Sequence, residues 1–142
     1  MWKKLVVVLV LAVAERVGVP LPLALSYVVA NLAVYGAHDK SMWPLAFFSG
    51  LIVDLVFLNT LGVSSIGLLL ARGVLVYLQE RLGRELVWVL MAVAVVVTLM
   101  VEVWSGDGWR WWYGGSSGVM ALVWYMLLVR NRNRGGVFVG GR

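Results

Sequence analysis

The sequence predicts an all-α fold, a polytopic membrane helix bundle of about six transmembrane helices. Three observations lead there. The 142 residues are 62% apolar and only 13% charged, against about 25% charged and about 45–50% apolar in a soluble domain. Apolar runs recur along the whole chain, each bounded by charges, prolines or glycines. The basic residues alternate with those runs as they do in multi-pass proteins, whose short cytoplasmic loops collect Lys and Arg.

Taken in order, the runs are Leu5–Val17, Leu21–Gly36, Met42–Leu58, Val63–Gln79, Leu86–Trp104 and Ser117–Val129. About 20 helical residues cross roughly 30 Å of hydrocarbon, which the fifth run meets outright, while the first and sixth must borrow flanking residues. The start, Met1-Trp2-Lys3-Lys4 and then Leu5 to Val13, has the basic and apolar regions of a signal peptide. Glu15-Arg16 follows without a small-residue cleavage pattern, so the segment reads as a retained first span. Pro20 and Pro22 predict a break and a new helix start, because proline lacks an N–H and fits the first turn. Six spans with both ends in the cytoplasm place Lys3, Lys4, Lys40, Arg81, Arg84, Arg130, Arg132, Arg134 and Arg142 inside, leaving only Arg16 and Arg110 outside. Five spans strand one basic cluster or another on the wrong side. Residues 1–134 form one transmembrane domain, and 135–142 a short cytoplasmic tail.

The net charge of +5 serves topology on this apolar background, and no nucleic-acid partner is expected. With no cysteine, disulfides, thiolate catalysis and cysteine metal sites are excluded. His38 is the single histidine, too little for a metal site or a serine–histidine–carboxylate set. Gly114-Gly115-Ser116-Ser117-Gly118 lacks the lysine and spacing of a phosphate loop, and its serines are predicted to cap the last helix. Asp54 and Glu102 are predicted at different depths. The expectation is therefore no enzyme, no metal or other cofactor and no small-molecule substrate.

Residues 105–118 read as an outer loop. Trp104, Trp109, Trp111, Trp112 and Tyr113 gather there, as amphipathic rings do at a lipid–water boundary. A stacking platform for sugars or bases uses similar residues and is the alternative.

The polar residues inside the runs are the candidates for function, since a charge in hydrocarbon costs about 2.5–3.5 kcal/mol on insertion scales. Asp54 lies well inside the third run, on one helix face with Gly50 and Ala46. That small-xxx-small face lets another helix approach. Across the reversal ending in Leu61-Gly62, the fourth run carries Ser64, Gly67, Ala71 and Arg72. Arg72 either pairs with Asp54 or snorkels toward the cytoplasm; Asp54 is expected to fix packing through Arg72 or through backbone. Asn31 is expected to hydrogen-bond across helices, and Glu102 to be solvated at the outer interface.

Phe47-Phe48-Ser49-Gly50-Leu51-Ile52-Val53-Asp54-Leu55, then Leu61-Gly62, then an apolar helix closing with Leu78 to Gly83, resembles the MreD family of rod-shape-determining membrane proteins. A proline-initiated helix precedes these elements in that family, as Pro20 to Tyr35 do here. The resemblance covers roughly residues 20–83. It implies a non-enzymatic scaffold subunit of the bacterial cell-elongation machinery in the inner membrane. The implied partners are membrane lipid, a bitopic MreC-like protein and, through it, MreB and the peptidoglycan synthases. The family is similar in helical layout to the substrate-binding subunits of energy-coupling-factor vitamin transporters, so the alternative function is a small-solute binding subunit.

Overall fold

The computed structural model describes residues 2–18, 21–35, 40–57, 61–82, 86–105 and 111–135, without the side chains of 80, 82, 86, 105, 111 and 133–135. All regular structure among them is helical: α1 (Trp2–Val17), α2 (Leu23–Tyr35), α3 (Met42–Phe57), α4 (Val63–Leu82), α5 (Leu86–Ser105) and α6 (Trp111–Gly135). The first five follow the apolar runs closely. As expected, α2 starts immediately after Pro22, whose carbonyl accepts the first helical hydrogen bond from Ser26 at 3.4 Å.

The sixth helix departs from expectation. It begins at Trp111, so the segment read as loop up to Gly118 is largely helical, and Gly114 to Gly118 lie inside α6. Glycine costs about 1 kcal/mol in a helix, but here it allows a close approach. A Cβ on Gly118 would stand 3.0 Å from Val95 Cγ2 and 3.4 Å from the Met91 carbonyl of α5. The serines do not cap. Ser116 Oγ donates to the Tyr113 carbonyl at 2.8 Å and Ser117 Oγ to that of Gly114 at 2.6 Å, the back-bonding of serine within a helix. The expected tail from 135 lies outside the described residues apart from Gly135, and so does Trp109.

The helix α2 is the axis of the bundle. Every residue from Ala24 to Val34 is buried, and α2 packs on each of the other five helices. Around it the order is α1, α3, α4, α5, α6, neighbour on neighbour, with no close backbone approach between α6 and α1 among the described residues. The outward surface is apolar: Val10 on α1, Phe47 on α3, Leu70 on α4, Val96 on α5 and Met126 on α6 are all exposed. Buried polar groups sit inside, among them Asn31, Ser49, Asp54 and Thr98.

Two helices are long and apolar enough to cross a membrane, over Val87–Trp104 and Trp112–Arg132, and only 33% and 22% of those stretches are buried in the bundle. That low burial separates them from the core helix of a soluble protein. The 13 residues of α2 make about 20 Å, and the 16 of α1 and of α3 about 24 Å, short of a full crossing each.

The α5–α6 contact gives a direct test. Gly118→Leu is expected to lower stability by about 2 kcal/mol through overpacking. Gly115→Leu should be near neutral, since nothing lies within 4 Å of its Cβ position. Tryptophan-fluorescence melts in detergent read the difference.

Candidate functional site

The residues singled out in α3 and α4 form one locked hairpin. A helix start leaves backbone N–H groups without helical partners, and α4 begins next to the last turn of α3. Gly62 takes a φ of +97°, open to glycine without strain, and its carbonyl receives the first helical bond from Ile66 at 2.9 Å. Asp54 supplies the missing acceptors. Its Oδ2 accepts from Gly62 N–H at 2.7 Å and its Oδ1 from Ser64 N–H at 3.2 Å. The carboxylate is fully buried, and its negative charge meets the positive end of the α4 dipole.

One turn deeper, the chains touch. A Cβ on Gly50 would overlap the backbone of Ser65, and Ser65 Oγ donates to the Phe47 carbonyl at 2.9 Å. Ala46 continues the face and is fully buried. Gly67 and Ala71 are also buried, and Gly67 meets Val97 of α5 rather than α3. The predicted small-residue stripe thus splits between two partners, Gly50 serving α3–α4 and Gly67 serving α4–α5.

Arg72 stays buried and turns toward Trp43 rather than Asp54. Its guanidinium stacks on Trp43 at 4.5 Å from the ring centroid, an arrangement favoured by the ring quadrupole. Trp43 lies eleven residues before Asp54 on α3, about 16 Å along the axis. The stagger also differs from a simple count across the turn, because α3 ends at Phe57 and α4 begins at Val63. Asp54 accordingly stands in the last turn of α3 rather than at mid-depth, at the point where α4 needs acceptors.

A second hairpin repeats the device. Glu15, in the last turn of α1, accepts from the Ala24 N–H of α2 at 3.2 Å. Its other oxygen accepts from the Tyr113 hydroxyl, which ties α6 to α1, with which it makes no close backbone approach among the described residues. Arg16 donates to the Val56 carbonyl, in the last turn of α3. Glu15 and Asp54 each cap the helix that follows their own, 9 and 8–10 residues downstream. The residue pattern held that signal: an acid closing an apolar run just before a turn and a new helix start. Tyr113, 98 residues from Glu15, left no such signal. It is half-buried and bonded, while Trp112 is exposed. Glu102, expected to be solvated, is buried. The Asn31 amide donates to Tyr27 of its own helix at 3.0 Å rather than across helices.

Three acids gather at one end of the bundle, where Arg16 also lies. Glu15, Asp54 and Glu102 lie toward one end, at the N-termini of α2 and α4 and the C-terminus of α5. At the other, Lys4 stacks on Tyr35 at 4.1 Å and Arg132 Nη1 donates to the Val34 carbonyl at 3.4 Å. Both cations thereby meet the C-terminal end of α2, where positive charge is favoured.

No family model, curated relative or solved structure matches the chain.

Asp54→Leu is expected to cost about 3 kcal/mol, because two buried N–H groups lose a charged acceptor. Asp54→Asn keeps one acceptor and should lose about half as much. Gly50→Ala should cost about 1–3 kcal/mol by forcing α3 and α4 apart. Chemical denaturation in detergent measures all three, and an Asp54→Leu protein as stable as the parent refutes the lock. Tyr113→Phe is expected to lose about 1.5 kcal/mol and, uniquely among these, to speed hydrogen exchange at the start of α6.

Proposed function

We propose that the chain is a six-span protein of the bacterial inner membrane, with both termini cytoplasmic, acting as a non-enzymatic scaffold subunit of the cell-elongation complex. The observation that carries the functional part is the α3–α4 hairpin. Gly50, Asp54 and Gly62, the residues on which the resemblance to the MreD family rests, are the ones that join the two helices. The resemblance therefore falls on a working structural unit rather than on scattered apolar positions.

The membrane part is supported by the exposed tryptophans. Trp2, Trp43 and Trp88 lie toward the basic end, Trp104 and Trp112 toward the acidic end, all more than half exposed. On α5 the tiers are 16 residues apart, about 24 Å, near the thickness of a hydrocarbon core. The shorter helices fit between these tiers when flanked by their turns and anchored by snorkelling Lys and Arg. The basic end then faces the cytoplasm.

Scaffold is favoured over solute binding by the surface. The grooves flanking α3 are lined by apolar side chains and open sideways toward lipid, whereas a solute site gathers convergent polar groups in a concave pocket. Partner surfaces for a bitopic MreC-like protein, and through it MreB and the peptidoglycan synthases, lie on these lateral faces. No small-molecule substrate or nucleic acid enters the scheme.

The test is affinity capture from native bacterial membranes followed by mass spectrometry. Enrichment of cell-wall elongation proteins at least about tenfold over a tag-only control is the expected result. Enrichment of an ATPase module in their place supports the transporter subunit and rejects the scaffold.

A further inference from the structure

We draw no further inference here: the strongest candidate, the apolar groove between α1 and α3 walled by Leu9, Phe48 and Leu55, opens sideways with nothing in the structure to show what covers it.

Discussion

A helix that begins within an apolar bundle exposes N–H groups that neither water nor its own turns can satisfy, and the layout of this protein follows from how that demand is met. The acid comes from the preceding helix. Asp54 reaches from α3 to the start of α4, and Glu15 from α1 to the start of α2. Each carboxylate fixes the stagger of its hairpin, because two helices joined by a short turn can slide unless one point is pinned. With both staggers set, Arg16 falls beside the end of α3 and ties one hairpin to the other.

The same constraint explains where the charges reside. Glu15 and Asp54 are held at helix starts, where the dipole is positive. Cations gather where helices end: Lys4 and Arg132 converge on the last turn of α2. In a medium of low dielectric such placements matter more than in water. They also give the bundle a polarity from end to end, which supports the proposed orientation.

Close packing depends on glycine at two places of different kind. Gly50 permits α3 and α4 to meet backbone to backbone, which brings Ser65 within reach of the Phe47 carbonyl. Gly118 does the same service for α5 and α6. Between α6 and α1 there is no close backbone approach among the described residues, and a side-chain bond from Tyr113 to Glu15 spans the gap. Small residues, polar side chains and caps together hold the helices to one another.

Composition and run length sufficed for the all-helical class and for the positions of five helices, because apolar periodicity and prolines act locally. The α3–α4 hairpin was legible too, since Gly50, Asp54 and Gly62 lie within a dozen residues of one another. Gly114 to Gly118 misled as loop, because glycine reads as a breaker until a neighbouring helix needs the space. The partners of Asp54 and Arg72 were left open for a similar reason: a count across a turn cannot tell which residues add helical rise. Tertiary structure alone decided that α2 is the buried axis, that Glu15 holds Tyr113 from 98 residues away and that α1 and α3 leave a groove between them. Those features depend on which faces meet, and a chain carries no local record of a neighbour that arrives from its other end.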